Sequence, residues 1–457
     1  MPASQPSLML PLGPGKPVLL DWEGGELSSD GGLLLVARAD RSLRLTERLA
    51  AEVHDPRCPA QLRHPLLALL RQRVYQIALG YEDGNDAQTL RHDPLLKTAV
   101  GRTPRAAPLA GQSTFSRFEN AATAEDLARL EGVLQDLFVE HCGAAPREIV
   151  LDMDPYDDPC HGEQQGVLFN GYYDGHCYLP LLICGTVDGG QQHLIGVVLR
   201  GGKAAATQEA LGFLEDLVAK LRTRFPGVPI IVRGDAGYGV EEMITGCRNA
   251  QVDFCFGKAT NAVLHRQTQE LRDRVDRAET FRNAQEKRAK SCRAFAEVDY
   301  QAKSWPRGER VVAKAEVTYG KPNPRFVVTS LAPTAGWSAR RIYQFYCARG
   351  DRENRIKEFK LDMAGDRLSC STFLANQFRL ILHAAAFILV QSLQATLQEV
   401  AGPELAQAQA VTVRVKLLKI AARVIETSRA IRVHLCTAYP LQPLWMALAR
   451  YYAPHPA

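Results

Sequence analysis

Between Arg147 and Lys258 the order of apolar patterns leaves few folds open. Three short β-rich runs, Glu148 to Met153, Tyr178 to Thr186 and His193 to Leu199, follow one another closely. Then come an amphipathic stretch (Gln208 to Arg224), a fourth run (Pro229 to Arg233), a second helical stretch (Gly239 to Asn249) and a fifth run (Val252 to Phe256). The first two links are short, as hairpins or tight meanders require, and the later ones are long enough for helical crossovers. The pattern predicts a mixed α/β sheet whose first and fourth strands can be neighbours.

Carboxylates sit at the ends of those two strands. Asp154 closes the first, in Leu-Asp-Met-Asp, and shares a strand face with Asp152 two residues before it. Asp235 follows the fourth, in Val-Arg-Gly-Asp-Ala-Gly-Tyr, where glycines leave room for a ligand. Each Asp alone is well explained as a turn or helix cap. Together, two converging carboxylates call for a counter-ion. A pair of Mg²⁺ ions about 3.5–4 Å apart would neutralise them and activate water or a 3′-hydroxyl. Both readings stand at this point.

A third element carries a further carboxylate. The spacing predicts a helix over Ile342 to Leu361 whose residues Tyr346, Arg349, Glu353, Lys357 and Lys360, stepping by 3, 4, 4 and 3, share one face. Arg349–Glu353 and Glu353–Lys357 are placed as i,i+4 pairs, so periodicity alone favours a solvated face. The alternative is a catalytic face on which Glu353 holds metal while Arg349, Lys357 and Lys360 grip phosphates.

The rest of the chain frames this region. With 457 residues, roughly two to four domains are expected. Apolar residues at 46% and charged residues at 23% exclude global disorder. The net charge of +5 is too small to identify a nucleic-acid binder by itself. The 11 cysteines contain no CxxC pair, which argues against a zinc finger and for buried thiols in a reducing cytosol. The N-terminus lacks a signal pattern, and the apolar run Leu380 to Val390 reads as a core helix rather than a membrane span. Five regions result: helical 1–145, the first part of the α/β core 146–258, a β-rich insertion 259–337, a helical 338–400, and a basic helical 401–457. Further helices are expected over Leu43 to Glu52, Pro65 to Leu79, Asp86 to Leu90, Ala124 to Cys142, Leu271 to Lys290, Phe373 to Val400 and Ala410 to Ala430. Strands are expected over Ala294 to Tyr300, Val311 to Tyr319 and Arg325 to Leu331.

Tyr346, Arg349, Glu353 and Lys360 match the Y-(2)-R-(3)-E-(6)-K signature, so the chain resembles a large group of bacterial insertion-sequence DDE transposases. The segments Gly80 to Asp86, Ser113 to Asn120, His161 to Gln165 and Asn170 to Tyr173 resemble one subgroup of them. The resemblance implies a ribonuclease-H-like mixed-sheet core interrupted by a β-rich insertion. It also implies Asp154, Asp235 and Glu353 as catalytic and metal-binding residues, with two Mg²⁺ ions that Mn²⁺ can replace. The implied partners are double-stranded DNA, as terminal inverted repeats and as target, and a second copy in a homodimeric synaptic complex; no membrane is involved. The implied reaction is cut-and-paste transposition, often through a DNA hairpin, in a cytoplasmic protein associated with the nucleoid. Relatives stack an extruded base on an aromatic of the insertion, for which Trp305 is the first candidate and Trp337 the second, while ordinary core packing is the stronger reading of either ring. Two departures stand out: Asp154-Pro155-Tyr156 lacks the usual small hydroxyl residue, and Arg200-Gly201-Gly202-Lys203 replaces a more usual Arg-Pro-Gly-Asn-like turn.

DNA contacts are expected from Tyr346, Arg349, Lys357 and Lys360 beside the carboxylates, and from a helical stripe of Lys416, Lys419 and Arg423. A second basic cluster is Lys287, Arg288, Lys290 and Arg293, and Arg71, Arg73, Arg91 and Arg117 lie in the helices assigned by resemblance to the terminal repeats. Two other functions compete: a transposase-derived repressor without catalysis, and a ribonuclease-H-like nuclease without strand transfer.

Overall fold

The structure, a computed structural model, describes residues 8–10, 16, 18–58, 62–284, 291–318, 321–350, 353–401, 405 and 407–452, without the side chains of 282–284, 291 and 353. It divides into two compact units, Met1–Phe118 with Ala385–Ala457, and Glu119–Ala384.

The first unit is mostly helical. An antiparallel ribbon of β1 (Leu8–Leu10) and β2 (Val18–Leu20) precedes β3 (Leu27–Ser28). Helices Leu33–Leu43 and Leu45–Glu52 are separated by Arg44, whose φ of 52° breaks the first and redirects the chain. Buried Asp40 ties these helices to Leu66–Ala78, accepting from Thr46 N at 2.8 Å, Thr46 Oγ1 at 2.6 Å and Tyr75 Oη at 2.6 Å. Near the C-terminus the helix expected over Ala410 to Ala430 is instead a short helix (Ala410–Val413), a π-helical turn (Arg414–Leu418) and a hairpin. In that hairpin β16 (Ala422–Glu426) pairs with β17 (Ile431–Leu435) and, on its other edge, with β3.

The second unit is built on a mixed sheet. Its strands are β4 (Ile149–Pro155), β8 (Leu181–Val187), β9 (Gln192–Val198), β10 (Ile230–Gly234), β11 (Asp253–Lys258), β12 (Ser291–Tyr300), β13 (Glu309–Thr318) and β15 (Arg325–Thr329), with β14 (Lys321–Pro322) pairing β13. Across the sheet the order is β12-β13-β15-β11-β10-β4-β8-β9. Strands β4, β10 and β11 are parallel, while β8 and β9 run antiparallel as the short links required. Strands β12, β13 and β15, expected as a separate β-rich region, extend the same sheet antiparallel from β11. A smaller sheet of β5 (Asp158–Pro159), β6 (Leu168–Asn170) and β7 (Gly175–Tyr178) follows β4.

Each sheet face has its own cover. On one face Leu151, Met153, Ile183 and Val232 pack in a single apolar cluster with Phe138, Phe213 and Leu217. These last three come from helices Ala124–His141 and Ala210–Arg224. The first of these helices starts on a capping box between Thr123 and Asp126. On the other face Ile231, Cys255, Val312 and Val327 pack with Ile342 of helix Ala339–Cys347. Helix Phe373–Val400 has the bounds its periodicity predicts. It is long and apolar enough to cross a membrane, but 83% of its most apolar window is buried, so it serves as a core helix.

Candidate active site

Side chains alternate along β10, so Arg233 shares the face of Ile231, beneath helix Ala339–Cys347. Opposite Arg233 in register is Asp152 of β4. The two form a buried, forked ion pair, Arg233 Nε donating to Asp152 Oδ1 at 2.7 Å and Nη2 to Oδ2 at 3.0 Å. Gln192 Nε2 also donates to Asp152 at 3.1 Å, and Arg233 Nη1 donates to Phe345 O at 2.7 Å. Asp152 is thereby committed to holding the sheet and the covering helix together.

The parallel register continues to Gly234 opposite Met153, so Asp154 and Asp235 are the next residues on neighbouring strands. Adjacent strands lie about 4.8 Å apart. Asp154 is buried, and burial pushes its carboxyl up to about 7; Arg349 opposes this, while Asp152 and Asp235 add to it. Asp235 is half-exposed on a turn, its Oδ1 accepting from Gly237 N at 2.8 Å. The tip of the sheet thus presents two neighbouring carboxylates, Asp235 adding to the cost of ionising Asp154, an arrangement suited to a divalent cation.

Helix Ala339–Cys347 and the turn after it bring Tyr346 and Arg349 to this tip. Arg349 Nη1 donates to Asp154 Oδ1 at 2.5 Å, and its guanidinium lies 5.7 Å from the Tyr346 ring centre. Gly257 of β11 makes room for that tyrosine: a Cβ there would lie 2.6 Å from Tyr346 Oη and 2.8 Å from Ala236 N, beside Asp235. The helix expected over Ile342 to Leu361 is interrupted, resuming as Glu353–Lys357 and ending in a π-helical turn, Glu358–Asp362. Glu353 opens the second helix; its side chain lies outside the described residues, as do Asp351 and Arg352. Lys360 Nζ donates to Asp157 Oδ1 at 2.7 Å, and Phe359 packs edge-to-face on Tyr156 with ring centres 6.2 Å apart. Lys357 is exposed. Glu353 is therefore bracketed: the residues before and after it in sequence both fasten to the end of β4 that bears Asp154. Among the described side chains, no group of three or more His, Cys, Asp or Glu converges, and Glu353 is not one of those described.

Other sequence candidates land elsewhere. Trp305 is a core residue, edge-to-face with Tyr300 at 5.4 Å and under Lys258 Nζ at 4.5 Å, so it presents no ring to solvent. Trp337 is half-buried, with the Arg341 guanidinium 4.3 Å from its ring centre. Lys416, Lys419 and Arg423 do not form a helical stripe. Lys416 is exposed on the π-helical turn, Arg423 is exposed on β16, and Lys419 lies between them. Lys419 donates to buried Asp30 at 2.7 Å and sits 3.8 Å above the Tyr81 ring, which neutralises it. Arg71 bonds Glu47 at 2.9 Å, and buried Arg73 donates to Glu82 O at 2.7 Å; both are structural. Arg117 is exposed and Arg91 half-exposed. Lys287, Arg288 and Lys290 lie outside the described residues.

Sequence reasoning missed Arg233 as the partner of Asp152, Asp157 as the partner of Lys360, and Gly257. A signal existed for the first: Arg233 and Asp235 are two apart, as are Asp152 and Asp154, so pairing one couple in register pairs the other.

No curated protein matches the chain. A family model described as transposase DDE domain group 1 matches residues 10–456, nearly the whole length. With carboxylates gathered at the ends of two adjacent parallel strands and a match of that extent, the chain belongs to this family of DDE transposases.

Proposed function

We propose that this chain is a cut-and-paste transposase of the Y-R-E-K type, as borne by bacterial insertion sequences, with Asp154, Asp235 and Glu353 as its metal-binding carboxylates. The observation that carries the proposal is the bracketing of Glu353 by Arg349–Asp154 on one side and Lys360–Asp157 on the other. The order β9-β8-β4-β10-β11 supports reading the core as ribonuclease-H-like. In that reading 259–337 is the insertion, 338–400 returns with the catalytic glutamate, and 1–145 and 401–457 are flanking helical regions.

Family membership implies a divalent-metal-dependent reaction on DNA in general. The residues fit such ions: Asp154 is a buried carboxyl held near neutrality, with a second carboxylate across one strand spacing. Bound Mg²⁺ or Mn²⁺ ions supply Lewis acidity at the attacking and leaving oxygens. Asp154, Asp235 and Glu353 would hold them. Arg349 is then free to turn its fork from Asp154 to a phosphate, the oxyanion that best matches its geometry. Tyr346 backs that guanidinium, Gly257 fixing the depth of the ring. Lys357 and Lys360 add positive charge along the strand being cut. Strand hairpin formation, recognition of terminal inverted repeats and a homodimeric synapse belong to the same proposal. The atypical Pro155-Tyr156 serves packing, Tyr156 Oη donating to Gly365 O at 2.9 Å, so it takes nothing from the carboxylate set.

The test is a labelled transposon-end duplex incubated with the protein and Mg²⁺ or Mn²⁺. Wild type should cleave and join it. Glu353→Gln and Asp235→Asn should bind the end without cutting. Normal cutting by either variant would show that the site lies elsewhere, and binding without cleavage by wild type would favour a repressor.

A further inference from the structure

Arg200 is 1% exposed, and its partners are main-chain carbonyls rather than acids. Nε donates to Leu179 O at 2.9 Å, and Nη1 donates to Ala206 O at 3.0 Å, Ala205 O at 3.2 Å and Gln208 O at 3.3 Å. Among the described residues no carboxylate accepts from it, whereas Arg233, equally buried, has Asp152. Burial disfavours the Arg200 charge, and Tyr238, Glu209 and Asp235 offset that. A guanidinium buried without an acid is less favourable than a well-packed apolar side chain of similar size. What Arg200 holds accounts for its presence.

It holds the chain between β9 and helix Ala210–Arg224. Residues 202–209 belong to no strand or helix, and they end on Glu209, whose φ of 64° is strained for a residue with a side chain. Three carbonyls of this loop converge on one guanidinium nitrogen, so the loop is curled around Arg200. The curled loop presses on the turn that carries Asp235. A Cβ on Gly237 would lie 2.9 Å from Ala206 Cβ and 3.1 Å from Asp235 Oδ1. Next along the loop, Thr207 Oγ1 donates to Glu242 Oε2 at 2.6 Å, on helix Glu241–Asn249, which follows that turn. Tyr238 is fully buried within the turn, close to the guanidinium, where a Cβ on Gly234 would meet its ring at 2.5 Å.

Asp235 does little to fix itself. Its carboxylate is half-exposed, and Gly237 N is its one hydrogen-bond donor among the described residues. The turn therefore aims the carboxylate, and the loop supports the turn from two sides, at Gly237 and at Glu242. Groups that orient a metal ligand without touching the metal govern affinity nearly as strongly as the ligand does. Building on the reading of Asp235 as a metal ligand, we propose that Arg200 is a positioning residue of the active site: it folds residues 203–208 into a brace that holds the Asp235 turn, and with it the carboxylate, in place for a divalent cation.

The test uses the full-length chain and Mn²⁺, whose free fraction is read by electron paramagnetic resonance without DNA. Arg200→Gln should bind Mn²⁺ about tenfold more weakly than wild type. In cleavage of a labelled transposon-end duplex its half-saturating Mn²⁺ should rise by about the same factor, while end binding in EDTA stays within about twofold. A purely structural defect would lower the amount of cleaving protein and leave Mn²⁺ affinity and half-saturation as in wild type; that outcome overturns the brace. Arg200→Lys keeps the charge, but one ammonium cannot bond Leu179 and the loop together, so Mn²⁺ binding should stay weak. Full rescue by lysine would show that charge alone matters and overturn the brace. Should Arg200→Gln fail to fold, Ala206→Gly with Thr207→Val leaves the guanidinium in place and releases the loop from the turn. Unchanged Mn²⁺ affinity in that double variant overturns the proposal. Failure is separable from that of the site assignment. Asp235→Asn that binds Mn²⁺ and cleaves as wild type does removes the reading beneath, whereas loss in Asp235→Asn beside an unaffected Arg200→Gln removes only the brace.

Discussion

Arg349 Nη1 donates to Asp154 Oδ1 at 2.5 Å, so a guanidinium holds the carboxylate proposed to bind metal. Cation and guanidinium then compete for one oxygen. Arg349→Ala should lower the melting temperature of the metal-free protein, because Asp154 loses its counter-ion. The same variant should bind Mn²⁺ more tightly than wild type, read as a larger thermal shift per unit of Mn²⁺. Cleavage should nonetheless fall, by about a hundredfold, since the phosphate grip is gone. An unchanged Mn²⁺ response would mean that Arg349 and metal do not share Asp154.

The neighbouring pair predicts a different phenotype. Asp152 and Arg233 are both buried, and removing one partner strands the other's charge. Asp152→Ala should cost about 3–5 kcal/mol in chemical denaturation. Asp154→Ala, which removes a carboxylate whose burial is itself costly, should cost far less or stabilise, and should abolish cleavage. Equal destabilisation by the two substitutions would contradict the division of labour between these aspartates.

Most of the second unit was legible in the sequence because its strands obey a local rule. Runs such as Pro229 to Arg233 are apolar, β-branched and bounded by turn residues, and the hairpin or crossover length of each link sets direction. The placing of Asp154 and Asp235 at the ends of neighbouring strands was legible that way. The hairpin at β16 and β17 was not. Ala422, Arg423 and Val424 lie in a stretch rich in alanine and basic residues, which has good helix propensity; pairing with Ile431–Leu435, and with Leu27 and Ser28 about four hundred residues away in sequence, makes it a strand. Lys419 misled for a related reason, and Trp305 took the core-packing role that was its stronger reading. Composition shows a ring or a charge, but whether Tyr300 or Asp30 claims it is settled by tertiary contacts. The break near Gly350 divides a stripe that periodicity alone reads as continuous.

Asp158 gives a pH dependence whose sign can be worked out. It is buried, with no hydrogen-bond partner for either carboxyl oxygen among the described residues, and its carboxyl is pushed up to about 8 by burial, then by Asp366, with Lys360 opposing. The folded state therefore holds this proton when the unfolded chain, at about 4, has released it. Its contribution is fully present below about pH 4 and is lost as pH rises toward 8, by at most about 1.4 kcal/mol per pH unit. Asp158→Asn, which stays neutral, should flatten that part of the stability profile and melt higher than wild type at pH 8. A wild-type profile equally flat across this window would show that Asp158 ionises freely.

Gly257 offers a steric test that leaves every charged group in place. Its missing side chain lets both Tyr346 Oη and the Ala236 backbone approach β11, at 2.6 and 2.8 Å from where a Cβ would stand. The tyrosine ring could withdraw, but Ala236 belongs to the turn that carries Asp235, and a backbone atom has less freedom to move. Gly257→Ala should therefore cost about 1–3 kcal/mol through overpacking, and the relief should displace Tyr346, the Asp235 turn, or both. Cleavage should drop by more than the lost stability explains when measured at a temperature where the variant is fully folded. Adding Tyr346→Phe separates the two routes. If the hydroxyl alone is in the way, the double variant regains stability; if the Asp235 turn has moved, stability and cleavage both stay low.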